Sequence, residues 1–175
     1  IEKTCDNTRD IMIESFTEIR AFLNTYLNID ECAQETSAYF TKNVFKTGHF
    51  PHLDEKQEML THADAKIKCI HEHLNGLIGK TEKKSRDSSF VKLNVTDKTP
   101  MTMSLTKRRT DILKNAIAKE PPTAFIKYEA AEQQHELEID MSLFSYRPKS
   151  HIKESEMVIV HPELEKQCHG LFDAK

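Results

Sequence analysis

Cysteine is the residue type whose chemistry is most informative in this chain, because thiols outside the cell oxidise to disulfides. The sequence contains four cysteines at wide spacing, Cys5, Cys32, Cys69 and Cys168. No two of them form a C-x-x-C pair, which argues against a zinc knuckle or a thioredoxin-type redox pair. We therefore predict two disulfides. The alternative is a cytosolic protein with four buried free thiols.

The positions of the cysteines on the expected helices suggest how they pair. If the first three helices run up, down and up, Cys32 lies at the top of the second helix and Cys69 lies about 22 Å up the third. Because these two residues lie at similar heights on neighbouring helices, we predict the disulfide Cys32–Cys69. The remaining disulfide, Cys5–Cys168, would join the two ends of the chain and stabilise the fold by about 4 to 5 kcal/mol.

Histidine is the second residue type that could support chemistry, and the chain has nine. His49 and His52 lie in a loop, and an alternative to solvated side chains is that these two form a chance zinc site. His71 and His73 lie on one helix, where a step of two residues turns the side chains about 200° apart, so they cannot both bind one ion. We therefore interpret the histidines as solvated surface residues and predict neither a metal nor another cofactor.

The motifs that support catalysis are absent from the sequence. It contains no H-E-x-x-H, no G-x-S-x-G and no Walker or dinucleotide-binding loop, and its four glycines leave little room for a phosphate-binding loop. If the cysteines form disulfides, no activated nucleophile remains. We predict that the chain is not an enzyme.

Three features are candidates for contact or modification. The basic cluster Lys107, Arg108 and Arg109 fits a solvated helix start, which we favour. Basic charge there opposes the helix dipole, however, so the cluster is also a candidate contact for an acidic receptor, a glycosaminoglycan or a lipid head group. Phe45 and Phe50 flank an interhelical turn and are either core residues, the simpler interpretation, or the lining of an apolar cavity or an exposed hot spot. Asn94 opens an N-x-T sequon, a candidate glycosylation site.

Three helices are expected in the first half of the chain, residues 1–79. The first spans about 5–27, because apolar residues recur at steps of four and three. Asp30 caps a second helix that carries Cys32, Thr36, Phe40 and Val44 and ends at Thr47-Gly48. A third helix starts near Asp54, which forms a capping-box-like pair with Gln57, and ends at Gly76 or Gly79; its apolar seam consists of Leu60, Ala63, Ile67, Ile70, Leu74 and Leu77.

Residues 80–89 contain no apolar side chain and are predicted to be a flexible linker to a less regular second half, 90–175. Alternation at Val91, Leu93 and Val95 fits a short strand. We predict helices over 105–119, from Thr123 onward and from Pro162 to about Gly170. The run 137–143 fits either a strand or a helix, and we favour the helix because Ala, Glu and Gln precede it. Residues 157–160 are strand-like by residue type, but the run is very short.

Length and composition limit the classes of protein. At 175 residues, with 38% hydrophobic and 30% charged residues, the chain fits one globular domain. A net charge of −3 does not favour nucleic acid as a partner. No apolar run is long enough for a transmembrane segment. The chain opens at Ile1, as expected for a secreted protein after signal-peptide removal or for a trimmed fragment.

These observations predict a mainly α fold, a disulfide-stapled bundle of five to six helices within one domain. Whether the second half also contains a small β element is left open. The predicted function is that of a secreted, extracellular glycoprotein that binds another protein or a receptor without catalysis, as cytokines and effectors do. The alternative is an extracellular carrier whose helices enclose a fatty acid, a sterol or a similar hydrophobic ligand.

Overall fold

The structure is a computed structural model that describes residues 2–34, 43–82, 89–96, 98–150 and 155–173, without the side chains of 2–7. Its backbone contacts divide the chain into two compact units, residues 1–57 (unit 1) and 58–175 (unit 2). The helices are α1 (Glu2–Tyr26), α2 (Ile29–Gln34), α3 (Pro51–Gly79), α4 (Lys107–Ile117) and α5 (Pro162–Asp173). The strands are β1 (Lys92–Asn94), β2 (Thr102–Thr106), β3 (Thr123–Ala130), β4 (Gln133–Asp140), β5 (Ser145–Pro148) and β6 (Glu156–Val160). The division between the units falls within α3.

In unit 1, α1 agrees with the helix predicted over 5–27, but the second helix does not extend to Thr47-Gly48 as predicted. Neither Val44 nor Phe45 is helical, and Phe45 forms a β-bridge with Leu27. The amide of Asn28 donates to the Val44 carbonyl at 2.8 Å. The prediction was therefore wrong at its C-terminal end, because a long-range pairing outweighs the local helical spacing. The intervening residues 35–42, with Thr36 and Phe40, lie outside the described residues.

The core of unit 2 is built on the apolar seam of α3, as the spacing predicted. Ala63, Ile67, Ile70, Leu74 and Leu77 are all buried. The helix begins one turn earlier than expected, at Pro51, whose missing amide is tolerated in a first helical turn. Buried residues from the strands and other helices complete the core, among them Met103, Leu105, Leu113, Ile139, Met141, Ile159 and Leu164.

Two antiparallel sheets make unit 2 an α and β structure. One sheet has four strands in the order β1-β2-β6-β5, and the other is the hairpin β3–β4. In β2, Met103, Ser104 and Leu105 are all buried, as expected for a central strand covered on both faces. The alternating run at 91–95 and the run at 157–160 contribute β1 and β6.

The two helices predicted between residues 123 and 143 are not present. Thr123 to Ala130 and Gln133 to Asp140 pair as an antiparallel hairpin, followed by a 3-10 turn at Met141–Leu143. Ala131 and Glu132 connect the strands with φ of 50° and 61°, the left-handed conformation that two-residue hairpin turns require. The helix prediction was wrong because it relied on the helix propensity of residues that pair across strands. A turn without Asn or Gly gave no sequence signal.

The prediction of a disulfide-stapled, all-α bundle is also wrong about the disulfides. Cys32, Cys69 and Cys168 are free thiols, so neither Cys32–Cys69 nor Cys5–Cys168 forms. The side chain of Cys5 lies outside the described residues. Cys69 and Cys168 are instead buried in the hydrophobic core of unit 2, where a free cysteine behaves as a small apolar residue. These two residues therefore agree with the alternative interpretation, that of buried free thiols.

Candidate functional site

The most unusual surface of the chain is the exposed apolar part of α1 in unit 1. Seven large apolar side chains there are 39–70% exposed, with Phe16 at the upper limit. We call this set the α1 apolar face, and it consists of Ile11, Met12, Ile13, Phe16, Ile19, Phe22 and Leu23. Hydroxyls of Ser15, Thr17 and Thr25 donate to carbonyls four residues earlier, which places these polar groups against the helix's own backbone. Single exposed apolar residues are normal, but a contiguous row marks an interaction surface.

The spacing within this face indicates what geometry would cover it. Met12, Phe16, Ile19, Leu23 and Tyr26 follow steps of four, three, four and three, which average 3.5 residues. A straight α-helix has 3.6 residues per turn, and a repeat of 3.5 keeps the apolar row in line with a second helix that coils around it. The face therefore has the pattern of a coiled-coil seam.

An aromatic cluster adjoins this face at the end of α1. Tyr26 contacts Phe22 at 5.1 Å and His49 at 5.2 Å between ring centroids, and Phe45 meets Phe50 edge to face at 5.0 Å. The amide of Lys46 donates to the Tyr26 carbonyl at 2.8 Å. The cluster thus joins the two candidate contact residues Phe45 and Phe50, each 36% exposed, to the C-terminal end of α1.

The turn that carries the aromatic cluster is fixed by two local contacts. Gly48 has φ of 93°, which a residue with a side chain adopts only with strain, and its amide donates to Asp54 Oδ2 at 2.8 Å. The ammonium of Lys46 also donates to the Asn24 carbonyl. Asp54 therefore holds the turn before α3, rather than capping the helix as its sequence position suggested. His49 and His52 are both exposed here.

Most of the basic cluster at the start of α4 forms ion pairs within unit 2. Arg108 and Arg109 bind the two oxygens of Glu82 at 3.0 and 3.2 Å. Arg109 also lies 5.1 Å from the centroid of the Phe90 ring and donates to the Phe90 carbonyl. Lys107 is exposed. Glu82 comes from the predicted linker, whose residues 83–88 lie outside the described ones. The Glu82 carboxylate therefore explains why basic residues lie at the start of this helix.

Asn94, the predicted glycosylation site, lies at the end of β1 with its amide group occupied. Nδ2 donates to Ser104 Oγ at 2.9 Å and to the Thr102 carbonyl at 3.3 Å, and Oδ1 accepts from Lys149. N-glycosylation replaces one hydrogen of Nδ2, so a glycan would leave at most one of those two bonds. The site stays a prediction.

A Ser, His and Asn constellation in unit 2 resembles a nucleophile with its base but does not have the geometry of one. Ser89 Oγ lies 3.1 Å from His71 Nε2. The Ser89 hydroxyl also lies 2.6 Å from the Val91 carbonyl and 2.9 Å from Asn75 Oδ1, and both of these oxygens accept, so its proton has partners other than His71. Asn75 contacts His71 Nε2 as well, whereas a triad orients the other ring nitrogen. The network instead anchors the chain that leads into β1.

The buried thiols are not activated nucleophiles. Burial raises the pKa of Cys69 to about 11 and that of Cys168 to about 11. Thiolates react, and both groups remain protonated thiols at neutral pH. The Cys69 thiol donates to the Lys66 carbonyl at 3.1 Å. Cys32 is half-buried.

A histidine and tyrosine cluster lies between α3 and the β3–β4 hairpin. His62 Nδ1 is 3.3 Å from the Tyr128 hydroxyl, and the His62 and His135 rings lie 4.7 Å apart. The Nε2 of His135 is buried without a hydrogen-bond partner. Burial raises the pKa of Tyr128. Within the described residues, no group of three or more His, Cys, Asp or Glu side chains is arranged to hold a metal ion.

Next to this cluster is an open cleft of about 330 Å³. Its lining is mostly charged, with Asp64, Lys68, Glu72, Lys127 and Glu129 beside Thr61, Ala65, Cys69 and Tyr128. Asp64 and Lys68 form an ion pair at 2.6 Å across one helical turn. Such a lining does not suit a fatty acid or a sterol, whose binding requires apolar walls.

The sequence identified the apolar row of α1 but assigned it to a core, because spacing gives no information about what covers a face. The role of Glu82 and the His62–Tyr128–His135 cluster had no sequence signal, since these contacts join residues that are distant in the chain. In the described part of the chain, no helix combines the length and the apolar character that crossing a membrane requires. No protein-family model, no curated protein and no solved structure matches this chain.

Proposed function

We propose that this chain is a non-catalytic binding protein whose α1 apolar face packs against a helix of a protein partner. The observation that carries the proposal is the contiguous row of seven large apolar side chains, each more than a third exposed, on one helix of unit 1. Burying one such side chain contributes about 1.5–3 kcal/mol, so the row can supply the free energy of a specific contact.

The polar side of α1 favours a protein over a membrane surface. Helices that lie in the head-group region carry Lys and Arg on their polar side. In α1 that side carries Asp10, Glu14 and Glu18, and the described basic residues of the helix are only Arg9 and Arg20. A helix with this charge would be repelled by anionic lipids, whereas the repeat of 3.5 residues matches a second helix.

The aromatic cluster extends the same surface. Phe45 and Phe50 are partly exposed; Phe50 contacts the Tyr26 ring and Phe45 packs on Phe50, so both are already ordered before a partner arrives. Ordered aromatic side chains lose little conformational entropy on binding and often dominate the energy of an interface. We propose that they contribute to the partner contact together with α1.

The absence of catalysis is part of the proposal and is supported by the geometry in unit 2. The hydroxyl of Ser89 lies within hydrogen-bond distance of the acceptors Val91 O and Asn75 Oδ1, and the Cys69 and Cys168 thiols have raised pKa values. The alternative of a hydrophobic-ligand carrier has no support from the charged cleft beside α3.

Secretion, a removed signal peptide and a glycan on Asn94 remain predictions. The main argument for an extracellular protein was the disulfides, and the three free cysteines remove it. The proposed binding surface does not depend on the compartment, since it rests on exposed apolar side chains alone.

Photo-crosslinking in cells that express the chain tests the proposal. A benzoylphenylalanine is placed at Phe16 within the α1 apolar face and, as the matched control, at Ala21 on the same helix outside that face. We expect a discrete protein adduct from position 16 that is absent from position 21. The same adducts from both positions, or no protein adduct from position 16, would contradict the proposed function.

A further inference from the structure

Among the described side chains of α1, one charged residue lies at a core position of the coiled-coil seam, and that residue is informative about the partner. Extending the steps of four and three backwards from Met12 places Arg9 in the seam. One set of core positions is then Arg9, Phe16 and Leu23, and the other set is Met12, Ile19 and Tyr26. A polar residue at a core position sets register and orientation, because it excludes the alignments that leave its charge unpaired.

These two sets complement each other when one copy of α1 runs opposite to another. Antiparallel helices place each residue of one core set opposite a residue of the other set. If Phe16 faces Ile19 of the second copy, then Met12 faces Leu23 and Arg9 faces Tyr26 by the same symmetry. Each layer thus combines a residue from one half of the helix with one from the other half, and no layer opposes two equal charges.

A parallel pairing in register lacks this complementarity. It would place Arg9 beside Arg9 of the second copy, and like charges in a seam destabilise it. The antiparallel pairing instead places the guanidinium of Arg9 by the ring of Tyr26, where a cation–π contact is favourable. Antiparallel helices also place opposite ends of their dipoles side by side.

We propose that the partner of the α1 apolar face is a second copy of this chain, bound through an antiparallel pair of α1 helices about a two-fold axis. This inference rests on the proposed function, since it names the partner of the same surface. A two-fold interface uses the same patch on both copies, so a single self-complementary row is sufficient to build it.

The exposed area of the face is compatible with a dimer. Seven half-exposed side chains of this size offer on the order of 600 Å² of apolar surface in each chain. Stable interfaces bury about 1,200–2,000 Å² in total, counted over both partners. Ile13 and Phe22 flank the seam and, with the partly exposed Phe45 and Phe50, widen the contact beyond the core layers.

Sedimentation equilibrium of the full chain, from low micromolar to submillimolar concentration, tests the pairing. We expect a reversible monomer–dimer equilibrium for the unmodified chain. Phe16→Glu and Ile19→Lys should each raise the dissociation constant by roughly 100-fold or more, because each buries an unpaired charge twice in the homodimer. The control Ala21→Glu adds the same charge outside the face and should leave the constant unchanged. Circular dichroism checks that each variant is folded.

Mixing the two variants tests the orientation. In the antiparallel heterodimer, the carboxylate introduced at position 16 of one chain would face the ammonium introduced at position 19 of the other, while Ile19 and Phe16 meet as in the unmodified pair. An equimolar mixture should therefore form dimers that neither variant forms alone. In a parallel pair the two introduced charges face apolar residues instead, and mixing restores nothing.

Each outcome separates this inference from the proposed function. A chain that stays monomeric at the highest concentration overturns self-pairing, and so does a dimer that Phe16→Glu leaves intact. A dimer that Phe16→Glu weakens but mixing does not restore overturns the antiparallel arrangement. None of these results removes a crosslink from position 16 to a different protein, which would uphold the proposed function and overturn self-pairing.

Discussion

Helices α1 and α3 have similar patterns of apolar residues but lie in different surroundings. In α3 of unit 2, Ile67, Ile70, Leu74 and Leu77 are 0–2% exposed. In α1 of unit 1, Phe16 is 70% and Ile19 54% exposed, although the spacing is the same. The comparison shows that apolar spacing identifies the face of a helix that will be packed. It does not identify what packs against that face, which in unit 2 is the helix's own chain.

The largest difference between the two helices should appear when one apolar side chain is shortened. Leu74→Ala removes a fully buried side chain and should lower the free energy of unfolding of unit 2 by about 2–5 kcal/mol. Phe16→Ala should change the free energy of unfolding by no more than about 0.5 kcal/mol at a concentration where the chain is monomeric. Urea unfolding followed by circular dichroism measures both. Equal losses would show that α1 is packed within its own chain.

A smaller loss is expected where a polar side chain, rather than apolar packing, holds unit 2 together. Asn75 Oδ1 accepts from the amides of Phe90 and Val91 at 2.7 and 3.1 Å. Asn75→Ala leaves these two part-buried donors without this partner and should lower the free energy of unfolding by about 1–3 kcal/mol. Asn75→Asp retains the acceptor and is the matched control. If the alanine variant unfolds at the same urea concentration as the unmodified chain, the anchoring role is wrong.

A still smaller effect is expected at the ion pairs of Glu82. This residue and Arg109 are partly buried, at 17% and 26% exposure, whereas Arg108 is 81% exposed. Glu82→Gln should lower the free energy of unfolding by about 0.5–1 kcal/mol, the upper part of the range for exposed pairs. Glu132→Gln, at an exposed turn of the hairpin, should change nothing measurable. A loss at Glu82 that persists undiminished in high salt would contradict an electrostatic cause.

The smallest effect is a pH dependence in unit 2. Burial lowers the pKa of His73, opposed by Glu120 and assisted by Lys80, and its Nε2 has no hydrogen-bond partner. As pH falls below about 6.5, the unfolded chain takes up a proton at this residue more readily than the folded chain, so the free energy of unfolding falls. As the pH is lowered from about 7.5 to about 5.5, the free energy of unfolding of the His73→Gln variant should therefore fall less than that of the unmodified chain. Equal losses would contradict this assignment.

The sequence predicted the parts of the fold that local pattern determines. The first and third helices, the last helix and the strand-like run at 157–160 are present, because each has regular apolar spacing or residues with a strong conformational preference. The hairpin of β3 and β4 was missed because the helical propensity of Glu and Gln in β4 was given more weight than the alternation of Leu137 and Ile139, and because the strand-forming residues of β3, such as Phe125, were read as a helix.

The disulfide prediction failed for a different reason. An even number of cysteines is compatible with both oxidised and reduced proteins, and the pairing argument assumed a bundle that the chain does not form. Once Cys69 and Cys168 are placed in the hydrophobic core, their role as small apolar residues is sufficient to explain them. At the candidate site, the sequence supplied the apolar row of α1 and the residues Phe45 and Phe50, whereas their exposure required the structure.

Carbene footprinting of the purified chain, read by mass spectrometry, tests the exposure of the α1 apolar face most directly. At low protein concentration, where the chain is monomeric, we expect strong labelling of Phe16, Ile19 and Phe22 and weak labelling of Leu74 and Leu113. Raising the concentration, or adding a bound partner, should protect the α1 residues and leave unit 2 unchanged. Protection of the α1 residues at every concentration would contradict the account, because the face would then be covered by its own chain.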